Sequence, residues 1–423
     1  MSARQSKILK TMSKNDKTPI FVISGKSPIG AQGGGYSTYA YNLARILKNL
    51  GHPVYILALG EENKKEETKV GTLLLFKTSV PFLNVNIYAL PGLPLYGILF
   101  ANGVRRIVNE KKYKKFIVWG IGPWGFAGSL IKIFFDKRVI HLNNYFTTTR
   151  HEWWSGVKAL RVSDYGLWPK LKYLTVYLTA VQYLAQLEKL VLKSADKIIT
   201  NYRSTEEILK KEFRINPERF YRAHFYVQVY KRKVAQAKEG NEIKLPKKFI
   251  LFFSRQDPRK GVNFLLHAME ILIEKGYKIP LLIAGGGDML PANKKLTEKL
   301  KIEKYVKFLG FVNNPKPLMK KCSVFVFPSI EEGSGALTIN EAMEMGLPVV
   351  STACDGIVED IENGKSGLLV SKEDSGAMAV AIERILNSPD LAKKLGRNAK
   401  KHYKKRFNLK YMEQDIERLL SKI

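Results

Sequence analysis

The stretch Phe327–Val350, FPSIEEGSGALTINEAMEMGLPVV, limits the fold more than any other part of this chain. The apolar run Val324–Phe327 before it ends at Pro328 and reads as a short buried strand. A turn-prone acidic loop with Gly333 and Gly335 follows, then a helix whose apolar face carries Leu337, Ile339, Ala342 and Met343. Gly346 and Pro348 stop that helix, and Val349–Val350 starts another strand. Such a unit aims the free N–H groups of the helix at the mouth of a parallel sheet, a setting that attracts phosphate. The carboxylates Glu331, Glu332 and Glu341 stand beside it. Carboxylates do not bind phosphate, but they accept hydrogen bonds from hydroxyls. A phosphate cradle flanked by hydroxyl acceptors points to a sugar nucleotide.

The rest of the chain repeats the alternation of strand and helix. Pro19–Ser24 reads as a strand that runs into a glycine-rich turn ending Gly33-Gly34-Gly35, then a helix, Tyr36–Asn49, and a strand, Val54–Leu59. This is a βαβ opening of Rossmann type. It lacks the dinucleotide fingerprint, because the glycines are wrongly spaced and no acidic residue closes the second strand. Phe116–Trp119 and Val139–Leu142 read as further buried strands, with His141 near the end of the second, where open α/β sheets bind ligands. Tyr145–Trp168 interleaves aromatics with Arg150, His151 and Arg161. It reads as an acceptor-binding lid, a membrane-facing edge or a packed insertion. An amphipathic stretch, Leu171–Lys193, and a strand, Asp196–Thr200, close this half.

The polar segment 231–248 reads as a linker. A second series follows: strands Phe249–Phe253, Pro280–Ala284 and Val306–Leu309, helices Gly261–Lys275 and Lys316–Lys321, and terminal helices Ser375–Leu386 and Leu391–Ile423. With 423 residues, two domains are the default. The expected fold class is α/β, two doubly wound domains facing a central cleft. The expected boundaries are a disordered basic tail at 1–17, domains at 18–230 and 249–405, and a final helix, 406–423, packing back on the first domain.

Composition excludes some classes. The chain is 45% hydrophobic and 26% charged, as folded globular proteins are. Its two cysteines, Cys322 and Cys354, lack metal-ligand spacing, which favours a reducing compartment and no metal site. Met1–Lys17 has no apolar core of a leader, and the apolar windows Val80–Val104 and Leu171–Leu192 are interrupted by proline or charge. A cytoplasmic location is expected, with a peripheral contact on the inner face of the cell membrane left open. The formal charge of +32 admits an anionic membrane, nucleic acid, an acidic substrate or a lysine-rich solvated surface.

Taken in order, the second-half motifs are FILFFSRQDPRKGVNFLLHAME, LLIAGGG, VKFLGFV, FVFPSIEEGSG, EAMEMGLPVVST and GIVEDIENGKSGLLV. They resemble those of the retaining glycosyltransferases of family 4, which have the GT-B fold of two Rossmann-like domains. The first half matches less densely, through GGGYSTYAYNLARILKNLGHPVYIL and SADKIIT. The resemblance implies that Arg255 and Lys260 bind the pyrophosphate of a UDP- or GDP-sugar donor. It places Gly333, Ser334, Gly335, Ala336 and Leu337 against the donor sugar and phosphates, and gives the ribose hydroxyls to Glu341. Gly310, Phe311 and Val312 would border the base, Gly34 and Gly35 would face the diphosphate, and His141 would sit near the reacting carbon. The implied reaction is hexosyl transfer with retention to a glycan or lipid-linked acceptor hydroxyl, with no cofactor, no metal and no nucleic acid.

Two departures stand out. Eight residues separate Glu332 from Glu341 where the family has seven, and GAQGGG replaces a double glycine. Glu332 or Glu331 would contact the sugar hydroxyls. Competing readings are an epimerase or a phosphorylase of the same fold, and a non-enzymatic basic protein that binds membrane or nucleic acid.

Overall fold

The computed structural model describes residues 17–29, 35–77, 93–161, 166–226, 245–312 and 314–423. The expected N-terminal tail to residue 16, Gly34 and most of the expected linker lie outside the described residues. Two parallel-dominated sheets form the frame. The first has eight strands in the order β3-β4-β2-β1-β5-β6-β7-β8. These are β1 (Ile20–Lys26), β2 (Val54–Gly60), β3 (Lys64–Thr68), β4 (Gly71–Lys77), β5 (Phe116–Ile121), β6 (Val139–Asn144), β7 (Lys197–Thr200) and β8 (Phe220–Arg222). The second has six parallel strands, β11-β10-β9-β12-β13-β14. They are β9 (Ile250–Phe253), β10 (Leu281–Ala284), β11 (Val306–Gly310), β12 (Val324–Phe327), β13 (Val349–Thr352) and β14 (Leu368–Val370).

The central strands are apolar throughout because helices cover both faces of each sheet, as parallel sheets require. Phe249–Phe252 and Val324–Phe327 lie at the centre of one continuous core in the second domain. In the first domain the two faces of the sheet bury separate cores, one built on Ile20, Val22 and Trp119, the other on Phe21, Ile23 and Val118. The order of the second sheet is that of a doubly wound fold. Its chain path reverses between β9 and β12, and the loops leaving those two strands open the crevice where ligands bind.

The structure adds elements that the sequence pattern conceals. β3 is KKEET, paired antiparallel with β4 at the sheet edge. Its charged side chains hide the strand from a search for apolar alternation, and on an edge they discourage pairing with another chain. The expected single helix Leu391–Ile423 is two, Pro389–Arg406 and Leu409–Leu420. The break falls at Phe407, and the Asn408 side chain starts the second helix by accepting from the Lys410 N–H at 3.0 Å. That last helix leaves the second domain and buries Met412, Ile416 and Leu419 in the first-domain core. No described helix is long and apolar enough to cross a membrane.

The last helix thus makes the first-domain core depend on residues beyond the second domain. Ile416→Ala should destabilise the first-domain transition by about 2–4 kcal/mol, the cost of a cavity at a buried aliphatic site. Chemical denaturation followed by tryptophan fluorescence reads this directly, because Trp119 shares that core. An unchanged transition would place the helix outside the cooperative unit.

Candidate active site

The loop after β9, Ser254–Gly261, is fixed before it presents any charge. Gln256 is buried, its side-chain amide donating to the Gly285 carbonyl at 2.7 Å and accepting from Asn293 at 2.9 Å. The Asp257 carboxylate caps the turn Pro258–Lys260 by accepting from the Arg259 N–H at 3.1 Å. Gly261 has φ +61°, and any Cβ there would stand 2.1 Å from the Pro328 carbonyl oxygen. The loop after β12 therefore lies directly on this one. Ile330 N–H donates to the Arg259 carbonyl at 2.7 Å, and Ser329 Oγ donates to the same oxygen at 2.9 Å.

This clamp gathers three cations and their partners. Lys260 is buried, and its Nζ is 2.5 Å from Glu332 Oε1 and 5.4 Å from the centre of the Phe327 ring. Arg259 is almost as buried and holds Glu152 Oε1 at 2.7 Å. Arg255 is 56% exposed and reaches the same oxygen at 3.9 Å. Both guanidinium groups also lie 3.5 Å from Asp257 Oδ2. Opposite them, the N–H groups of Glu332 and Gly333 donate to Asp355 Oδ2 at 2.6 and 2.7 Å. Burial would raise the pKa of Asp355, but His151 and these two N–H groups outweigh it and hold the carboxyl down at about 2.

The remaining second-domain candidates sit on the loop and helix after β12 and at the end of β11. Gly333 has φ +78°, and a Cβ on it would be 2.4 Å from Thr147 Oγ1 of the first domain. Its carbonyl accepts from Ser204 Oγ at 2.9 Å. Ser334, Gly335 and Ala336 lead into the helix Leu337–Met345, which has no side-chain cap. Leu337 meets the start of the first-domain helix at Gly35, where a Cβ would be 3.3 Å from Leu337 Cδ1. Glu341 lies one turn on from Leu337, on the same face. Thr338 Oγ1 is buried there without a hydrogen-bond partner. Gly310 ends the outermost strand, β11, and Phe311 and Val312 follow it; the Gly310 carbonyl accepts from Gly285 N–H at 2.6 Å, and Phe311 is 74% exposed.

His141 does not join them. It is the third of six residues in β6, fully buried, with Gly128 packed against its ring and Nδ1 3.1 Å from Ser194 Oγ. Burial lowers its pKa to about 3, with the Lys132 ammonium adding to the effect. The strand continues to Asn144 before it reaches the cleft, so a histidine placed at its end by pattern alone sits three residues too deep.

The histidine at the cleft is His151. It comes from the helix Thr149–Arg161, which crosses to the second domain and packs over the Pro258–Lys260 turn. His151 Nε2 is 3.6 Å from Asp355 Oδ2, Ser155 Oγ donates to Glu331 Oε2, and Lys158 Nζ is 3.4 Å from Glu331 Oε1. The spacing 151, 155, 158 puts these three on one helical face, a polar stripe inside an aromatic segment. That stripe was the signal available in the sequence. The helix of this segment packs on the second domain with a cleft-facing polar edge, while Leu167 and Trp168 at the segment's end are exposed. Its helix is anchored by the buried Glu188, whose carboxyl accepts from Thr149 N–H at 3.1 Å and Thr149 Oγ1 at 2.8 Å.

Comparison with known proteins agrees with this architecture. The model described as Glycosyltransferase Family 4 matches residues 33–224, and that described as Glycosyl transferases group 1 matches residues 234–402. The chain belongs to the family 4 glycosyltransferases. The capsular polysaccharide biosynthesis glycosyltransferase CapM of Staphylococcus aureus is 30% identical over 162 residues, 37% of this chain and 42% of CapM. The match thus spans about two fifths of that relative's length. Sucrose-phosphate synthase from Thermosynechococcus elongatus superimposes with a TM-score of 0.71 at 22% identity, over 96% of this chain and 99% of that one. Anabaena HepE, in complex with UDP and glucose, gives 0.67 at 17% identity, over 96% and 100%. These two structures carry the GT-B fold.

Glu188 makes the seating of helix 149–161 sensitive to pH. Burial pushes its pKa to about 8, against the opposing hydrogen bonds from Thr149. The folded value lies above the unfolded one, about 4.3, so the stability from this group is complete below that value and is lost as pH rises through 8. Relative to Glu188→Gln, the wild type should lose up to about 1.4 kcal/mol per pH unit across this window. Melting curves from pH 5 to 9 test it, and parallel curves for the two proteins would refute it.

Proposed function

We propose that this family 4 protein transfers a hexose from a UDP- or GDP-sugar to an acceptor hydroxyl with retention of configuration. The observation that carries this reading is the clamped pair of loops at the β9–β12 switch point. It sets Arg255 and Lys260, the backbone N–H groups of Glu332 and Gly333, and an uncapped helix start around one crevice. A departing nucleoside diphosphate gathers negative charge, and fixed cations and N–H dipoles stabilise that charge without reorganising. No metal is required where these groups supply the positive field. Gly333 to Leu337 would lie along the donor sugar and phosphates, and Glu341 would accept from the ribose hydroxyls. Gly310 to Val312 would flank the base. With His141 buried elsewhere, the reacting carbon would face Gly35 and helix 149–161, and the leaving phosphate would take the acceptor proton on the same face. The UDP and glucose bound by HepE, a structure of the same fold, support a nucleotide sugar as donor.

Binding measurements test the donor. One of UDP, GDP or ADP should raise the melting temperature, because a ligand that binds only the folded state stabilises it by mass action. Lys260→Ala should weaken that binding by about 2 kcal/mol or more, since a charge-assisted contact is lost in a dry site. If no nucleotide shifts either protein, the transferase reading fails and a basic binding protein takes its place. An epimerase or phosphorylase would instead act without an acceptor hydroxyl.

The acceptor side carries its own observation. Leu95 and Ile98 are exposed on the helix Leu93–Glu110, and Ile133, Phe134 and Phe135 are exposed beside it. Arg105 stacks on the Phe135 ring at 4.5 Å and joins the two segments. The exposed lysines 111, 112, 114 and 115 follow at the far end of that helix. Apolar side chains rimmed by cations suit an anionic bilayer, each such charge near the surface adding about 1 kcal/mol. A lipid-linked glycan acceptor met at the inner face of the cell membrane fits this flank. Sedimentation with phosphatidylglycerol vesicles should retain the wild type at low salt and release an Ile133→Ser/Phe134→Ser variant. Equal retention of both would remove this flank from the reading.

A further inference from the structure

Among the described residues, the cations and the loop N–H groups of the crevice already hold carboxylates of the chain itself, whereas the helix start at Leu337 has no side-chain cap. Lys260 holds Glu332, the N–H groups of Glu332 and Gly333 hold Asp355, and Arg255 and Arg259 converge on one oxygen of Glu152. Glu332, Asp355 and Asp257 belong to the second domain, on the loops that leave β12, β13 and β9. Glu152 alone comes from the other domain, on a helix that packs over the turn carrying Arg259.

We propose that Glu152 is a placeholder for the donor's diphosphate, and that Arg259 is a third cation of the diphosphate site, masked by Glu152 until the donor arrives. This rests on the donor reading above. Both guanidinium groups lie within 3.9 Å of Glu152 Oε1, an arrangement that suits a phosphate oxygen equally well. Arg259 is buried against the clamp, so its guanidinium needs an anion at all times. With Glu152 withdrawn, the two arginines lose the negative charge they share and the site becomes more positive. A diphosphate restores the balance with more charge than one carboxylate. Glu152 therefore competes with the donor, and the strength of its contact to Arg259 sets how tightly the nucleotide binds.

The test is calorimetric titration of UDP, GDP and ADP into the full-length wild type, Glu152→Gln and Arg259→Ala. Glu152→Gln removes the competing charge and keeps the shape of the side chain. It should bind the preferred nucleotide about three- to tenfold more tightly, the scale of one partly buried charge contact. The same variant should melt at a lower temperature without ligand, because it loses an interdomain ion pair. A merely structural glutamate would lower the melting temperature and leave affinity unchanged or weaker, and that result overturns the proposal. Arg259→Ala should weaken binding at least tenfold; equal affinity would remove Arg259 from the site. Binding to Glu152→Gln where the wild type shows none supports the proposal. Absence of binding to both overturns it together with the donor reading, whereas wild-type binding that Glu152→Gln does not tighten overturns the placeholder alone.

Discussion

The amide of Ile330 and the hydroxyl of Ser329 both donate to the carbonyl of Arg259, at 2.7 and 2.9 Å. This strap joins the loops leaving β9 and β12, and every charged group of the crevice hangs from one of them or faces them. It exists because Gly261 has no side chain where the Pro328 carbonyl passes. An alanine there would meet that oxygen and also be held at a positive φ. The backbone, and not the cations, therefore sets the spacing between the positive wall at Arg255–Lys260 and the N–H donors at Glu332–Gly333. Sites built this way hold their geometry while the charges on them exchange partners.

The strap also separates the roles of two adjacent glutamates. Glu332 turns toward its own domain and neutralises the buried Lys260, an ammonium that would be strongly destabilising unpaired. Glu331 turns outward to Ser155 and Lys158 of the other domain. Sequence spacing leaves the two interchangeable. Their neighbours decide, because neighbouring residues on an irregular loop present their side chains to different sides. A donor that engages Lys260 must therefore displace or share Glu332, whereas Glu331 senses whether helix 149–161 is in place.

The frame was legible because both sheets are covered on both faces, so their strands appear as short unbroken apolar runs such as Val324–Phe327. The loops at the switch point were legible through glycine, proline and charge at turn spacing. What failed to show has a common cause. β3 is charged because it is an edge, the turn at Phe407 is hidden by helix-forming residues on both sides, and His141 looks terminal because the strand extends three residues past it. The cleft-facing residues His151, Glu152 and Asp355 act through partners on distant segments. Only tertiary placement brings Glu152 to Arg259, 107 positions away.

The contact between the domains has two sides of different chemistry. On one side Tyr202 donates to the buried Asp360 at 3.1 Å, and Arg406 donates to the same carboxylate at 2.8 Å. Burial raises the Asp360 pKa to about 7 despite Arg406, so this network is deeply desolvated. Glu359 beside it accepts from the N–H groups of Arg203 and Ser204 at 3.1 Å, capping the first-domain helix Arg203–Phe213. On the other side the apolar contacts are sparse, Ala159 with Phe264 and Ile330, and Leu160 with Met289. There the joining forces are ion pairs through Glu152, Lys158 and Lys172, with buried partners in Arg259 and Glu331 and exposed ones in Arg255 and Asp288. An anionic ligand changes the balance only where charges do the joining. That side is the one where helix 149–161 packs over the strapped loops, so the contact between the domains and the electrostatics of the crevice rest on the same few side chains.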